Sequence, residues 1–339
     1  MKTLKIGILG YGNAGRAYGK LLLEKAPEIL KEYNTEVKVT AIATKTKGTL
    51  ICAEGIDLEE IERELVNHGK FLDGQDISAI NVAETADYDV LIELTPLEIF
   101  SGQPAIDHIK AAFCRGKHVI SANKGPLAWA FRELRDMAAQ NNCLFFYETT
   151  VMDGTPIFNL TDHTLKMCKV IEIHGILNST TNFILEELEK GVPYEDIIEE
   201  GKKRGFVEAD PAMDVEGWDA AAKVTALMNV LMDAGLTPPD IERKGIEYIT
   251  AEQIKGAKKR GKAIKLLCSG KLEDGKAKGY VKPEEINENS LFASITGTSS
   301  AVSITTDLMG TISIVEHEPE IEQTAYGIFS DTLRIIAGA

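Results

Sequence analysis

Short apolar runs alternate with helix-period segments through the first 147 residues. Five of these runs are predicted as strands, at 4–9, 37–43, 90–94, 118–121 and 144–147. Three amphipathic segments are predicted as helices, at 14–31, 101–115 and 126–141. Repeated strand and helix alternation predicts an α/β fold with a doubly wound parallel sheet. The segment 44–81 is rich in Thr, Gly and charged residues, and it predicts only one helix, near 58–67.

The pattern changes after Val151 and predicts a second domain of α+β type. A long strand at 170–177 precedes helices at 181–190, 194–204 and 217–234, and further strands are expected at 263–271, 276–281 and 311–315. The last segment carries an apolar stripe at helical spacing, which predicts a helix that docks on an existing surface. Its members are Ile321, Ala325, Ile328, Phe329, Leu333 and Ile336.

Composition narrows the class of protein. The chain has 339 residues, enough for two domains at roughly 150 residues each. Its net charge of −15 would repel a phosphate backbone, so nucleic acid is not expected as a partner. No apolar stretch approaches the ~18 residues of a membrane span, and a cytoplasmic location is expected. Five scattered cysteines indicate neither a disulfide framework nor a zinc site, and they are interpreted as small buried hydrophobes.

A glycine-rich turn follows the first predicted strand. It reads Gly10-Tyr11-Gly12-Asn13-Ala14-Gly15 and leads into a helix, which is the context of the dinucleotide-binding turn of Rossmann folds. Gly10 permits the tight turn, Gly12 lets a pyrophosphate approach the backbone, and Gly15 lets helix and strand pack closely. The alternative is a glycine-rich turn without a ligand, which does not require three glycines at this spacing.

The end of the second strand bears on the choice between NAD and NADP. An acidic residue there would bind the ribose 2′-hydroxyl of NAD, but the sequence reads Ala43-Thr44-Lys45-Thr46-Lys47. Cations without a carboxylate favour a 2′-phosphate, so NADP(H) is favoured over NAD(H). The alternative is that Lys45 and Lys47 are solvated loop residues.

Two more loops follow predicted strands, at the sheet edge where ligands of doubly wound folds bind. One contains Thr95, whose alternative role is to cap the following helix. The other contains Lys124, which lies at a helix N-terminus where a cation is unfavourable unless an anion neutralises it. A bound anionic ligand would resolve this conflict, and a flexible lysine directed to water is the alternative.

The helix at 217–234 is apolar on almost every face and is predicted to be buried. Asp219 and Lys223 are its only ionisable residues up to Met232, one turn apart. A buried acid and base with perturbed proton affinity are typical of active sites, and a structural ion pair is the alternative. Upstream, Glu208, Asp210 and Asp214 are further candidates, although Asp210 and Asp214 are equally well explained as helix caps.

Three long motifs resemble those of homoserine dehydrogenase. They are Gly175-Ile176-Leu177-Asn178-Ser179-Thr180-Thr181-Asn182-Phe183-Ile184-Leu185, Gly205-Phe206-Val207-Glu208-Ala209-Asp210-Pro211 and Asp214-Val215-Glu216-Gly217-Trp218-Asp219-Ala220-Ala221-Ala222-Lys223. The similarity includes the Gly10 to Gly15 turn, the Ser-Ala-Asn-Lys segment ending at Lys124 and the stretch 324–327, so it spans essentially the whole chain.

The resemblance implies NAD(P)-dependent interconversion of L-aspartate 4-semialdehyde and L-homoserine, in the pathway to threonine, methionine and isoleucine. It implies that Lys223 donates or accepts the proton at the substrate oxygen. The residues it assigns to the substrate are Glu208, Asp214, Asp219 and Thr180. The residues it assigns to contacts with cofactor or substrate are Thr95, Lys124 and Gly205.

The resemblance also implies a monovalent cation, usually sodium, in the loop 148–155. Its ligands would be carbonyl oxygens of Glu148, Val151, Asp153 and Thr155. This chain has Met152 and Asp153 where the family usually has glycines, and Pro319-Glu320-Ile321-Glu322-Gln323 where the family approaches its final helix through glycines.

The family organisation implies two domains and a homodimer. Residues 1–150, completed by the helix 320–339, would bind the nucleotide, and residues 151–319 would bind the substrate and form the dimer through their sheet. No kinase or C-terminal regulatory domain is expected within this length. An aspartate dehydrogenase and a dinucleotide-sensing protein without turnover are the alternatives, and the substrate oxidised and the dependence on Lys223 discriminate them.

Overall fold

The first sheet belongs to the N-terminal part of the chain. In a computed structural model, which describes residues 1–205, 207, 210–273 and 275–338, its strands are β1 (Lys2–Leu9), β2 (Thr35–Ala43), β3 (Thr49–Ile51), β4 (Val90–Glu93), β5 (His118–Ser121) and β6 (Phe145–Phe146). The accompanying helices are α1 (Asn13–Tyr33), α2 (Leu58–His68), α3 (Ala79–Thr85), α4 (Ala105–Cys114) and α5 (Lys124–Gln140).

The strand order β3-β2-β1-β4-β5-β6 confirms the predicted doubly wound α/β sheet. Pairing is parallel from β2 to β6, but β3 is antiparallel to β2, so the sheet is mixed rather than wholly parallel. The chain reverses through Gly48, whose φ of +93° lies in the left-handed region that glycine adopts without strain. Because β3 has only three residues, it gave no apolar pattern. The helix α3 was also missed, because its seven residues make only about two turns and show no clear helical period.

The second sheet forms after residue 158. Its strands are β7 (Val170–Ile176), β8 (Glu242–Arg243), β9 (Lys262–Glu273), β10 (Lys276–Asn287), β11 (Ser300–Thr306) and β12 (Gly310–Glu316), in the order β12-β11-β7-β9-β10-β8. The helices are α6 (Ile157–Thr164), α7 (Ser179–Lys190), α8 (Tyr194–Arg204), α9 (Ala212–Val215), α10 (Trp218–Met232) and α11 (Ala251–Lys258). The predicted α+β character is confirmed. The missed strand β11 is rich in Ser and Thr, which weakens an apolar signal.

The chain divides into two compact units. Unit 1 contains Met1–Pro126, Ala130–Phe158 and the segment that begins at Glu320, and unit 2 contains Leu127–Trp129 and Asn159–Pro319. In unit 1 the core is formed by apolar residues of β1, β2 and β4 with α1, α2 and the last helix. In unit 2, α10 packs against β7, β9 and β10.

The last helix, α12 (Ile321–Ala337), docks within unit 1, as its apolar stripe predicted. It packs against α1, and Ala325, Ile328 and Phe329 are buried in the core. Ile321, which was assigned to the same stripe, is exposed. The reason is its place as the first residue of the helix.

The cysteine prediction was wrong in part. All five cysteines are free thiols, but only Cys268 is buried, whereas Cys52 and Cys114 are exposed. Cys52 directly follows the short strand β3 and Cys114 is the last residue of α4, so both sit at element ends that apolar neighbours do not cover. Within the part of the chain that the structure describes, no helix has the length and apolar character needed to cross a membrane.

Candidate active site

The glycine-rich turn connects β1 to α1. Gly10 has a φ of +92°, and a Cβ on it would overlap the carbonyl oxygen of Leu94. A Cβ on Gly15 would come within 3.0 Å of the carbonyl oxygen of Gly10. A Cβ on Gly12, in contrast, would meet nothing within 4 Å. Gly10 and Gly15 therefore serve the packing of the turn itself, while Gly12 leaves an open approach to the backbone.

The N-terminus of α1 is suited to an anion. Gly12 is its N-cap, none of the described side chains caps it, and its first turn contains no acidic residue. The first N–H groups of the helix therefore have no side-chain acceptor, and the helix dipole adds partial positive charge at the same end. Pyrophosphate is a ligand that this arrangement accepts. Asn13 and Ala14, also predicted to contact the cofactor, form the first turn.

Three charged side chains lie near this turn, those of Lys47, Arg16 and Glu62, and the sequence predicted a role only for Lys47. Lys47 donates a hydrogen bond from Nζ to the carbonyl oxygen of Tyr11 at 2.6 Å. Burial, assisted by the nearby charge of Arg16, lowers the pKa of Lys47. Arg16 forms an ion pair with Glu62, with 2.9 Å between Nε and Oε2. Lys45 is exposed, so Lys47 is the lysine that lies against the turn.

Glu93 and His108 form a buried polar pair at the carboxyl end of β4 that sequence reasoning missed. Glu93 is fully buried, and Nδ1 of His108 lies 3.3 Å from its Oε1. Thr95 donates both its hydroxyl and its backbone N–H to the same oxygen. The proposal that Thr95 caps the following helix was wrong, because α4 begins at Ala105 with Pro104 as its N-cap. An acid at the last position of an apolar strand was the available signal.

Asn123 joins this pair to the next loop. Its side-chain amide donates to the carbonyl oxygen of Thr95 at 3.0 Å, and its Oδ1 accepts from the N–H of Gly125 as the N-cap of α5. Lys124 is the first residue of α5 and is half-buried. The loops that carry Thr95 and Lys124 are thus fixed to each other by hydrogen bonds.

The predicted cation loop lies next to α12. Glu148, Thr149 and Thr150 form a 3-10 turn, and Met152 and Asp153 follow with φ of 57° and 48°. These two residues adopt the left-handed conformation that the expected glycines would adopt without strain. The carboxylate of Asp153 accepts from the hydroxyl of Thr324 at 2.6 Å.

Besides Asp153, two more of the residues proposed to bind the cation accept hydrogen bonds from backbone N–H groups. The Glu148 carboxylate accepts from the N–H of Phe158 at 2.8 Å, and the carbonyl oxygen of Thr155 accepts from the N–H of Ile157 at 2.8 Å. No group of His, Cys, Asp and Glu side chains suited to a metal ion occurs among the described residues. A cation in this loop would therefore depend on backbone carbonyl oxygens, as the resemblance implied.

A buried acid on α12 lies beneath this loop. Asp331 is fully buried and accepts from the N–H of Glu148 at 2.9 Å, and Nη1 of Arg334 is 3.5 Å from its other oxygen. Burial raises the pKa of Asp331 to about 7, and the nearby charge of Glu148 adds to the rise.

In unit 2, α10 confirms the predicted buried helix. Its residues from Ala220 to Ala222 and from Val224 to Asn229 are buried, and Asp219 and Lys223 are only 15% and 18% exposed. Lys223 Nζ lies 2.9 Å from Asp219 Oδ2 and donates to the carbonyl oxygen of Leu177 at 2.8 Å. The amine is therefore held by contacts on two sides. The thiol of Cys268 is close by, and burial raises its pKa to about 12.

The other predicted residues of this unit have different environments. Asp214, in α9, accepts from the side-chain amide of Asn178 at 2.6 Å, so it forms a polar cluster with Asn178, Asp219 and Lys223 rather than acting only as a cap. Asp210 accepts from the N–H of Ala212 at 3.0 Å, which is the capping role. Thr180 is buried in the first turn of α7, and Gly205 ends α8 with a φ of +85°. Glu208 lies outside the described residues.

The first unit has the sheet and the glycine turn of a Rossmann-like dinucleotide-binding protein, and the second has a partly buried acid and base pair. A family model described as the NAD binding domain of homoserine dehydrogenase matches residues 10–148, and one described as homoserine dehydrogenase matches residues 156–333. The chain therefore belongs to the homoserine dehydrogenase family of NAD(P)-dependent oxidoreductases.

Individual relatives agree with this result. The chain is 37% identical to homoserine dehydrogenase of Methanocaldococcus jannaschii, covering 98% of both chains. It is 32% identical to an NAD(+)-dependent homoserine dehydrogenase of Pseudomonas canavaninivorans, covering 99% of this chain and 97% of the other. A crystal structure of a putative homoserine dehydrogenase from Archaeoglobus fulgidus has a TM-score of 0.87 at 35% identity, covering 98% of this chain and 99% of the other. A hyperthermophilic archaeal homoserine dehydrogenase in complex with NADPH has a TM-score of 0.84 at 28% identity, covering 99% and 98%.

The family resemblance deduced from the three sequence motifs is confirmed. The matched family is homoserine dehydrogenase, and not an aspartate dehydrogenase or a dinucleotide-sensing protein, which were the two alternatives. The individual roles of the site residues stay predictions.

Proposed function

We propose that this protein interconverts L-homoserine and L-aspartate 4-semialdehyde with NADP(H), and that Lys223 moves the proton at the substrate oxygen. The observation that carries the proposal is the position of the Lys223 amine. Lys223 is on the buried helix α10, and its amine contacts both the Asp219 carboxylate and the carbonyl oxygen of Leu177. A positioned amine that exchanges a proton with a reacting oxygen is general acid and base catalysis.

The direction of reaction fixes the protonation state that Lys223 needs. In oxidation of the alcohol, a neutral amine accepts the hydroxyl proton. In reduction of the aldehyde, the ammonium donates a proton to the carbonyl oxygen. Because lysine is mostly protonated near neutral pH, oxidation is expected to accelerate as the pH rises.

The carboxylates near Lys223 suit a substrate that carries an ammonium group. Glu208 and Asp219 are proposed to bind the amino and hydroxyl ends of homoserine, with Asp214 supporting them. Thr180 is proposed to line the same pocket. Carboxylates are strong acceptors for charged donors. The contact of Asn178 with both aspartates supports this grouping.

The residues of unit 1 fit a dinucleotide. The open backbone at Gly12 and the N-terminus of α1 support pyrophosphate binding by the turn from Gly10 to Gly15. When bound, NADP⁺ supplies the hydride acceptor for the oxidation. Thr95, Lys124 and Gly205 are proposed further contacts.

A preference for NADP(H) is proposed on the charges around the turn. Lys47 lies against the backbone of the turn, and Lys45 is in the same loop. Two cations are suited to a 2′-phosphate. A relative is described as a complex with NADPH and another as NAD(+)-dependent, so the relatives include both.

A sodium ion is proposed in the loop 148–155, held by the carbonyl oxygens of Glu148, Val151, Asp153 and Thr155. Hard cations prefer oxygen ligands. The left-handed conformations of Met152 and Asp153 support the proposal, since the loop turns there without glycine. The midpoint of thermal unfolding, compared between NaCl and choline chloride at equal ionic strength, tests it.

The assembly and location are proposed in the same way. Unit 1 is assigned to the nucleotide and unit 2 to the substrate and to a homodimer. Exposed apolar residues on or next to its strands, Ile171, Leu272 and Leu308, support the dimer. Sedimentation analysis measures the mass of the assembly.

A cytoplasmic location is also proposed, with a role in the biosynthesis of threonine, methionine and isoleucine. The free thiols, two of which are exposed, support this location.

The central experiment measures NADP⁺ and NAD⁺ reduction with L-homoserine at mildly alkaline pH. Lys223→Ala is expected to lower kcat by about 10²- to 10⁴-fold, the usual contribution of general acid and base catalysis. Lys223→Arg is the matched control, because it keeps the charge but cannot lose its proton in this range. Near-native turnover in Lys223→Ala would remove Lys223 from the proposed role, and turnover with L-aspartate but not L-homoserine would change the substrate.

A further inference from the structure

We propose that Asn178 is a positioning residue that fixes the Asp219 carboxylate and thereby the geometry and proton affinity of Lys223. The inference rests on the proposed function, since it concerns how Lys223 is prepared for proton transfer. Sequence reasoning did not assign Asn178 a role, although it lies within one of the three motifs.

The orientation of the Asn178 amide is set from both of its ends. Its Oδ1 accepts from the N–H of Thr181 at 2.8 Å and from the Thr181 hydroxyl at 2.9 Å, as the N-cap of α7. Its Nδ2 lies 2.6 Å from Asp214 Oδ1 and 2.9 Å from Asp219 Oδ2. An N–H of a helix terminus requires an acceptor and a carboxylate requires a donor, so the reversed amide would satisfy neither. Asn178 is 4% exposed.

One carboxylate oxygen connects Asn178 with the lysine. Asp219 Oδ2 receives the Asn178 amide at 2.9 Å and the Lys223 amine at 2.9 Å. Leu177, the preceding residue, accepts from the same amine through its carbonyl oxygen. The Leu177 carbonyl and the Asn178 amide thus both belong to the two-residue link between β7 and α7. The strand fixes one end of this link and the helix fixes the other.

The neutral charge of the amide matters as much as its position. Asp214 and Asp219 would repel each other without a donor between them. A cationic donor would compete with Lys223 for Asp219, whereas an amide separates the two carboxylates without adding charge. The titratable groups around Lys223 in the described part of the chain include Asp219 on its own helix, Asp214 on α9 and the Cys268 thiol on β9.

Two substitutions separate this role from helix capping. Asn178→Asp keeps an N-cap acceptor and nearly the same shape, but it replaces both donors by negative charge. Asn178→Ser keeps a capping oxygen and replaces the amide N–H donors by one hydroxyl on a shorter side chain, without adding charge. Thr250→Ser, which keeps the hydroxyl that caps the start of α11, is the matched control.

The measurement is the pH profile of kcat for L-homoserine oxidation, together with KM for NADP⁺ and the thermal midpoint. In Asn178→Asp, the added charge should raise the apparent pKa of the profile by about one pH unit and lower kcat at pH 8 by about tenfold. Asn178→Ser should lower kcat by about tenfold with a smaller shift. In both variants KM for NADP⁺ should stay within about twofold.

The proposal is overturned if Asn178→Asp has the native pH profile, or if both variants lose only thermal stability. If Asn178→Asp does not fold, Asn178→Ser decides the question through kcat. The failure of the proposed function is distinguishable, because it would be seen in the native enzyme or in Lys223→Ala. An inactive Lys223→Ala with an unshifted Asn178→Asp profile would reject the positioning role alone.

Discussion

The glycine turn of unit 1 and the polar cluster of unit 2 are constructed by opposite means. The turn is made of backbone groups and of missing side chains, in six consecutive residues. The cluster is made of side chains from the β7–α7 link, from α9 and from α10. A site formed by backbone groups requires that no side chain blocks the approach to them, whereas a site formed by side chains depends on the charges of those side chains.

The strongest test of this comparison adds a branched side chain to the turn. Gly12→Val should lower dinucleotide affinity by about 100-fold or more, because the side chain would occupy the approach to the backbone. The thermal midpoint should change little, since φ at Gly12 is −85° and nothing lies within 4 Å of a Cβ. Isothermal titration with NADP⁺ and a thermal unfolding curve measure the two effects.

Gly10→Ala is the counterpart in the same turn. This substitution should lower the thermal midpoint, because φ at Gly10 is +92° and an added Cβ would overlap the Leu94 carbonyl. Gly256→Ala in α11, where the nearest atom to an added Cβ is Arg260 Nη1 at 3.5 Å, is the control and should keep or raise the thermal midpoint. Native affinity in Gly12→Val would mean that the turn does not receive the nucleotide.

The charge of the unit 2 cluster is tested by Asp219→Asn. Losing the anion beside Lys223 should lower the apparent pKa of homoserine oxidation by about one unit and lower kcat by about 10- to 100-fold. KM for NADP⁺ is expected to stay near the native value. The direction is opposite to that expected for Asn178→Asp, and a shift of both variants in the same direction would contradict the electrostatic argument.

The lysines beside the turn are expected to have a smaller effect. Lys47→Ala should lower kcat/KM for NADP⁺ by about tenfold and leave NAD⁺ nearly unchanged, since one phosphate contact is lost. Lys45→Ala should act in the same direction but more weakly, because Lys45 is exposed. Lys20→Ala, an exposed lysine of α1, is the control. Equal losses with both nucleotides would assign Lys47 to the shape of the turn instead of to the 2′-phosphate.

At Asp331, which contacts the cation loop, the expected effect is on stability and not on activity. Because burial raises the pKa of Asp331 to about 7 above an unfolded value near 4, the folded state binds its proton more tightly. Stability is therefore greatest below pH 4 with respect to this group and is lost as the pH rises to 7, by up to about 4 kcal/mol. Asp331→Asn should remove this contribution and keep the hydrogen bond from Glu148.

Thermal midpoints of the native protein and of Asp331→Asn at pH 5.5 and 8 give the measurement. The native midpoint should fall by several degrees more than that of the variant over this interval. Asp162→Asn, an exposed acid of α6, is the matched control. Parallel curves for the native protein and Asp331→Asn would contradict the raised pKa.

The same contrast explains what could be predicted from the sequence. The glycine turn and most strands and helices of unit 1 follow from local patterns and were predicted, whereas the short elements β3 and α3 were not. Lys223 and Asp219 were identified because a polar pair is conspicuous on an apolar helix. The Glu93–His108 pair and the role of Asn178 depend on residues 15 and 41 positions apart in the chain, which no periodicity reports.

The position of α12 has a consequence for how the protein is made. The first part of unit 1 is residues 1–126, and its last part includes the helix α12. Nearly all of unit 2 is the continuous segment Asn159–Pro319, which lies between them in the sequence. As the chain leaves the ribosome, unit 2 is complete before the partner helix of α1 has been synthesised. The apolar face of α1 around Tyr18 therefore stays exposed to solvent until α12 has been synthesised. The hydrogen bond between the Tyr18 and Thr332 hydroxyls can form only after that.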